Sequence, residues 1–144
     1  MPHKIIVGFD GSPSANAAIA FARQLAQPIG RCLVIAHVLE WSPYSFLTPT
    51  ELEERHKRRR EELERAEEAI LAPALHALRD SGLEVSTALK YGHIAATLID
   101  IAKEQKADQI VIGRNGDGGL ASRMFGSVAI SLAQASTVPV TIAP

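Results

Sequence analysis

The sequence has little of three features that would each point to a particular class of protein. Its one cysteine, Cys32, cannot form an intrachain disulfide, and its position in an apolar run predicts a reduced thiol in the core. No apolar run approaches the roughly 20 residues that a membrane-spanning helix needs, and the first residues do not resemble a signal peptide. The 15 basic residues do not outnumber the 16 acidic ones, so no surplus of positive charge is available for a nucleic-acid backbone. We therefore expect a cytoplasmic protein that neither inserts into a membrane nor binds nucleic acid.

The sequence also lacks the residue patterns that are typical of catalytic sites. No Gly-x4-Gly-Lys-Ser/Thr segment is present, so there is no P-loop lysine to hold a phosphate. The five histidines stand singly, and neither a nucleophile–base pair nor a cluster of metal ligands occurs at a recognisable spacing. These absences favour the binding of a ligand over its chemical conversion.

What the sequence does contain is a regular alternation of strand and helix patterns. The five predicted strands are Ile5–Val7, Cys32–Leu39, Val85–Leu89, Gln109–Ile112 and Val140–Ala143. Segments with helical periodicity separate successive strands. The order βαβαβαβαβ indicates an α/β fold in which helices cover both faces of a parallel sheet. The chain, residues 1–144, is expected to form a single domain.

Several residues mark the ends and breaks of the helices. Ser12 is predicted to cap the first helix, with Pro13 at its first position. Thr48-Pro49-Thr50-Glu51 is a capping box that predicts the start of a second helix, which Pro73 should interrupt. The basic run Lys57–Arg60 in this helix could form a binding patch. The i,i+4 spacing of Glu before Lys or Arg favours instead a solvated helix face whose charges pair with one another.

A glycine-rich segment follows the fourth predicted strand. It runs through Gly113-Arg114-Asn115-Gly116, and a nine-residue loop, Asp117 to Phe125, then leads to Gly126-Ser127. Glycine allows a ligand to approach the backbone closely, because no Cβ intervenes. Gly126-Ser127 is predicted to begin the last helix, where free N–H groups and a hydroxyl favour an anion. The segment thus predicts a cradle for a polyphosphate, although an ordinary loop with a glycine turn and a serine cap would contain the same residues.

The spacing of these glycines carries a resemblance to a known family. Gly113-x2-Gly116-x9-Gly126-Ser127 resembles the nucleotide-binding signature of the ATP-binding branch of the universal stress protein family. The likeness extends from Ile5–Ser12 through His37-Val38 to Val138-Pro139-Val140. It implies ATP, with or without Mg²⁺, as the bound cofactor.

The resemblance also implies where the site lies. The family has a Rossmann-like sheet with strand order 3-2-1-4-5, so the order reverses between strands one and four. In open parallel sheets ligands bind at this reversal, beyond the carboxyl ends of the strands. Gly8–Ser12 and Gly113–Gly116 follow those two strands, and the meeting of two distant glycine-rich turns supports a site there.

Individual residues acquire candidate roles from this placement. Asp10 could accept hydrogen bonds from ribose hydroxyls or help to place Mg²⁺, as the matching aspartate of the family contacts the nucleotide. It could also simply cap the turn before the first helix. Val38 matches the position whose backbone meets adenine. Phe9, beside Asp10, and Val128, beside Ser127, complete the candidate binding residues.

The sequence departs from the family pattern immediately after the first glycine of the signature. Ser-His or Thr-His is common there, whereas Arg114-Asn115 stands in this chain. Arg114 could donate a bidentate hydrogen bond to a phosphate or pair with Asp117 at the surface. Arg123 is a second candidate cation for the phosphates.

The last strand predicts a homodimer. Val138 to Ala143 falls at the edge of the implied sheet and carries no charge, so it invites antiparallel pairing with its twofold mate, as in the resembling family. Three functions remain open. The first is an ATP-binding dimeric regulatory protein, the second a nucleotide-free interaction module that controls a partner such as a transporter or kinase, and the third a slow ATPase.

Overall fold

The fold is built on a five-stranded sheet in the computed structural model, which describes residues 3–40, 49–114 and 121–144. The strands are β1 (Lys4–Gly8), β2 (Cys32–Glu40), β3 (Val85–Gly92), β4 (Gln109–Gly113) and β5 (Val140–Ala143). All neighbouring strands are parallel, and their order is β3-β2-β1-β4-β5. This confirms the predicted fold class and places the reversal of strand order between β1 and β4.

Helices connect the strands and cover both faces of the sheet. They are α1 (Pro13–Ala26), α2 (Pro49–Ala66), α3 (Ala72–Ala77), α4 (Ile94–Gln105) and α5 (Ala121–Ala135). Side chains of α1 and α3 pack on one face, and those of α4 and α5 pack on the other. Among the helices in the described ranges, none has the length and apolar character that crossing a bilayer requires.

Both faces of the sheet are buried because side chains alternate along each strand. In β1, Ile5 and Val7 join the core beneath α1 and α3, whereas Ile6 joins the core beneath α4 and α5. This burial on two sides explains why the strands are continuous apolar runs in the sequence. Cys32 is a buried free thiol, as predicted. A hydrogen bond to the Glu84 carboxylate, together with burial, raises the pKa of this thiol and keeps it protonated.

The start of α1 is fixed by the residues that the sequence suggests. The Ser12 hydroxyl accepts a hydrogen bond from the Ala15 N–H at 3.1 Å, and Pro13 occupies the first helical position. Such a cap stabilises a helix by about 1 kcal/mol. It holds the loop between β1 and α1 in place beside the end of the sheet.

The second helix is polar over most of its length and is interrupted where the sequence predicts. Ala66 is the only buried residue of α2, and a π-helical segment, Glu67–Leu71, separates α2 from α3. Pro73 follows within α3, where its missing N–H is tolerated. The hydroxyl of Tyr91 on β3 donates to the Glu62 carboxylate at 2.6 Å and ties α2 to the sheet. Burial, aided by this hydrogen bond, raises the pKa of Tyr91 to about 12.

The prediction that Gly126 and Ser127 begin the last helix is wrong. The helix α5 begins at Ala121, so both residues lie within it. The reason is that a single glycine costs a helix only about 1 kcal/mol, and good helix formers such as Ala121 and Met124 precede it. The free N–H groups at the start of this helix therefore belong to the turn that begins at Ala121.

Candidate functional site

The candidate site is the space beyond the carboxyl ends of β1, β2 and β4, here called the crevice. The strands β1 and β4 are direct neighbours, with Val7 paired to Val111. The loop that contains Asp10 therefore leaves the sheet beside the point where β4 leads into Arg114. The structure thus brings together the two loop starts that the sequence places at a common site. Gly116, which belongs to the same prediction, lies outside the described residues.

The carboxylate of Asp10 stabilises its own turn. Its Oδ1 accepts a hydrogen bond from the Ser12 N–H at 2.9 Å, which is the turn-capping role that the sequence offered as an alternative. In the described ranges we find no hydrogen bond to Oδ2. One oxygen of Asp10 thus holds the loop, while the predicted contact of the other with ribose or Mg²⁺ stays a prediction.

Gly113 is a glycine because the protein itself packs against it. A Cβ at this position would lie 2.5 Å from the carbonyl oxygen of Ser14 and 2.6 Å from its hydroxyl oxygen. Real Cβ atoms do not approach backbone oxygen so closely, so the contact between the end of β4 and the start of α1 requires glycine. The close approach that the sequence assigned to a ligand is, at Gly113, an internal contact.

The two candidate cations differ in what the structure says of them. Arg114 is exposed directly after β4, at the rim of the crevice. Asp117, its alternative surface partner, lies outside the described residues. Arg123 lies in the first turn of α5 together with the free N–H groups, but its side chain, like that of Ser127, is outside what the structure describes. Val128 is half-buried and packs against the core beneath α4 and α5.

Phe9 has partners in the protein for each of its groups. Its side chain is buried in the core beneath α1, and its N–H donates to the Ala36 carbonyl at 2.8 Å. Its carbonyl oxygen lies 2.7 Å from Nδ1 of His37. Because a carbonyl only accepts, Nδ1 of His37 carries the proton. The predicted contact of Phe9 with a ligand stays a prediction, and its polar groups are already engaged.

From the sequence alone His37 has no role of its own, although the His37-Val38 pair carries part of the family resemblance. His37 is buried on β2, on the face that also carries Leu33 and Ile35. A polar residue on an otherwise apolar face, next to a candidate binding residue, is the signal that could have identified it.

Val38 presents its backbone toward the crevice. Along a strand, the peptide groups of successive residues point alternately to the two neighbouring strands. Ala36 faces β1, since its carbonyl accepts from Phe9, and Leu33 faces β3, since its N–H donates to Glu84. Val38, two residues beyond Ala36, therefore faces the side of β1, but β1 has ended at Gly8.

On that side no described strand lies opposite the polar groups of Val38. Within the described ranges we find no hydrogen bond to the Val38 N–H or to its carbonyl oxygen. Backbone groups without partners are uncommon at half-buried positions, and they identify places where a ligand can supply the partner. The contact with adenine that the family resemblance implies for Val38 stays a prediction, and this geometry leaves room for it.

Two open grooves lie on the flanks of the sheet, and each reaches a candidate binding residue, Phe9 in the first and Val128 in the second. One, of about 610 Å³, runs between α1 and α3 and includes Ile70 and Arg23. The other, of about 780 Å³, lies between α4 and α5 and includes His93 and Lys103. Neither is lined by Asp10, Val38 or Arg114. In the described part of the chain no three His, Cys, Asp or Glu side chains are grouped as a metal would require.

Comparison with known sequences matches the chain to universal stress proteins over its whole length. The profile of the universal stress protein family matches residues 1–144. A universal stress protein of Thermus aquaticus is 35% identical, with 96% of each chain covered. The universal stress protein YxiE of Bacillus subtilis is 32% identical, with 99% of each chain covered.

Comparison with solved structures supports the same fold. A hypothetical protein solved as a test case of structural genomics superposes with a TM-score of 0.79 at 23% identity, covering 99% of this chain and 96% of the other. A universal stress protein in complex with cAMP has a TM-score of 0.64 at 26% identity, covering 99% and 96%. A family member from Arabidopsis thaliana with AMP bound has a TM-score of 0.66 at 15% identity, covering 98% and 90%.

Proposed function

Because the chain belongs to the universal stress protein family, we propose that it is a regulatory protein that binds ATP in the crevice. The observation that carries this proposal is the open peptide of Val38 beside the Asp10 loop, at the reversal of strand order. The cAMP and AMP complexes of two structural relatives support an adenine nucleotide as the ligand. The protein would regulate its partner according to whether ATP is bound, without hydrolysing it.

The peptide of Val38 matches the edge of adenine. Its N–H can donate to a ring nitrogen of the base, and its carbonyl can accept from the exocyclic amino group. Guanine presents a carbonyl oxygen where adenine has that amino group, so the Val38 carbonyl would face another acceptor. An unpaired buried polar group costs about 1–3 kcal/mol, so we expect GTP to bind roughly five- to 150-fold more weakly than ATP.

The phosphates would lie on the side of β4 and α5. The N–H groups of the first turn of α5 are free of helical partners and favour an anion. Arg114 is positioned at the rim to add a positive charge, and Oδ2 of Asp10 is available for ribose or Mg²⁺. We therefore expect anion contacts of the helix start at the turn that begins at Ala121. The contact of Gly126 and Ser127 with the phosphates stays a prediction.

The proposal is tested by the nucleotide that the protein carries and prefers. Freshly purified protein is denatured, and the released nucleotide is identified by chromatography. The melting temperature of nucleotide-free protein is then measured with MgATP, MgGTP and inorganic phosphate at equal concentration. MgATP at a hundredfold excess over its Kd should stabilise the fold by about 2.7 kcal/mol. Equal shifts for MgATP and phosphate would refute the proposal, and appearance of ADP during incubation would favour the slow ATPase.

We further propose that the protein is a homodimer through β5. This strand is at the edge of the sheet, and Ile142 is 46% exposed although it is a large apolar side chain. Antiparallel pairing of two such edges would cover Ile142 and satisfy the outer peptide groups of both strands. Light scattering should give about twice the mass of the chain. Replacing Val140 and Ile142 together by Lys should yield monomers, and a dimeric double variant would place the interface elsewhere.

A further inference from the structure

The contact between His37 and Phe9 occurs where β1 and β2 separate. If the parallel ladder continued past Ala36, the N–H of Val38 would donate to the carbonyl oxygen of Phe9. In the structure this oxygen instead accepts from Nδ1 of His37 at 2.7 Å. A side chain of β2 thus bonds the carbonyl oxygen that its own backbone would otherwise use, and within the described ranges we find no second hydrogen bond to that oxygen.

The arrangement is well determined by its surroundings. His37 is only 7% exposed and Phe9 likewise 7%, so solvent competes little for their hydrogen bond. The neighbouring bond from the Phe9 N–H to the Ala36 carbonyl holds the peptide that enters Phe9 against β2. The imidazole nitrogen reaches the carbonyl from the face of the sheet, which leaves the plane of the ladder open at Val38.

We propose that His37 is a positioning residue for the adenine site, because it holds the Phe9 carbonyl and thereby keeps the Val38 peptide open toward the crevice. The effect on affinity rests on the proposed function, whereas the effect on the Val38 amide does not. His37 touches no ligand in this account. It acts by preventing the hydrogen bond between the Val38 N–H and the Phe9 carbonyl that would continue the pairing of β1 and β2.

The chain offers a matched pair of variants. In His37→Leu the apolar side chain leaves the Phe9 carbonyl free, and the Val38 N–H can pair with it. In His37→Asn the side-chain amide stands the same number of bonds from the backbone as Nδ1 and can donate to the same oxygen. A residue that only fills space would be replaced better by Leu than by Asn, so the two interpretations predict opposite orders.

The first measurement is amide hydrogen exchange of the nucleotide-free protein, with the Leu33 amide as a reference because it donates to Glu84 at 2.9 Å. We expect the Val38 amide to exchange at least tenfold faster than Leu33 in the wild type and in His37→Asn. In His37→Leu it should become protected. A Val38 amide as protected as Leu33 in the wild type overturns the proposal, and this comparison remains decisive if the Leu variant does not fold.

The second measurement is the affinity of each variant for ATP. We expect His37→Leu to bind about tenfold more weakly, as for the loss of one hydrogen bond, and His37→Asn to bind within about threefold of the wild type. Equal affinities of the wild type and the Leu variant overturn the link between His37 and the site. If the wild type binds no nucleotide but shows the expected exchange pattern, the proposed function fails while the action of His37 on Val38 is supported.

Discussion

The two sides of the crevice differ in whether the protein itself contacts the candidate binding residue. On the side of β4, Gly113 looks like a ligand contact in the sequence, yet the protein itself fills the space that a Cβ would occupy. On the side of β2, only the family resemblance distinguishes Val38 from other apolar residues, yet its peptide groups have no partner in the described part of the chain. A glycine at a strand end therefore indicates that another group packs closely against the backbone, but it does not show whether that group belongs to a ligand or to the protein. An open peptide group shows where a partner is missing.

The comparison is tested most strongly at Gly113. A Gly113→Ala variant should lower the free energy of unfolding by about 3 kcal/mol, because the new Cβ meets the backbone of Ser14. Gly30→Ala is the control, since Gly30 has a φ of +63° but no atom within 4 Å of a built Cβ. It should cost only about 1 kcal/mol of conformational strain. Denaturant titration of both variants decides, and equal losses would mean that the Gly113 contact is not the reason for the glycine.

A second test separates the two oxygens of Asp10. Asp10→Asn keeps an oxygen for the Ser12 N–H, so the free energy of unfolding should change by less than about 0.5 kcal/mol. If the carboxylate also serves Mg²⁺ or ribose, affinity for MgATP should fall about tenfold. Asp10→Ala should lose this affinity and, in addition, about 1 kcal/mol of stability. Affinity is measured by calorimetric titration. Wild-type affinity in Asp10→Asn would mean that Asp10 only stabilises its turn and does not contact the nucleotide or Mg²⁺.

The smallest expected effect concerns Arg114 at the rim. Arg114→Gln should weaken ATP binding about fivefold and leave adenosine binding unchanged, because a solvent-exposed charge acts on the phosphates through screened electrostatics. The difference from the wild type should shrink as salt is added. Arg79→Gln is a suitable control, because Arg79 is exposed in the segment that leads into β3, at the amino ends of the strands and away from the crevice. Equal effects of the two variants would show that Arg114 contributes only overall charge.

Much of the fold could be predicted because its signals are local. The apolar strands, the Ser12 cap and the break before Pro73 depend on neighbouring residues. The start of α5 was misplaced because Gly126-Ser127 looks like a helix start, while helix propensity carries the helix five residues further back. The order of strands came from family resemblance rather than from the residues alone, and the structure confirms it.

The place of the candidate site could be predicted before the structure, but the reasons for its residues could not. Two glycine-rich turns, placed at a reversal of strand order by the family resemblance, predicted the crevice. The reason for Gly113 depends on Ser14, and the open peptide of Val38 depends on a hydrogen bond between Phe9 and His37, 28 residues apart. Contacts between residues so distant in sequence leave no pattern in a single chain.

Whether the backbone of Val38 binds the adenine base is tested most directly by ¹⁵N–¹H spectra of the labelled protein during titration with MgATP. We expect a saturable shift of the Val38 amide, accompanied by shifts of the Asp10–Ser12 loop, and no comparable change with MgGTP at the same concentration. A saturable titration that leaves Val38 unmoved and shifts residues of the groove between α1 and α3, such as Arg23 and Ile70, would contradict this expectation.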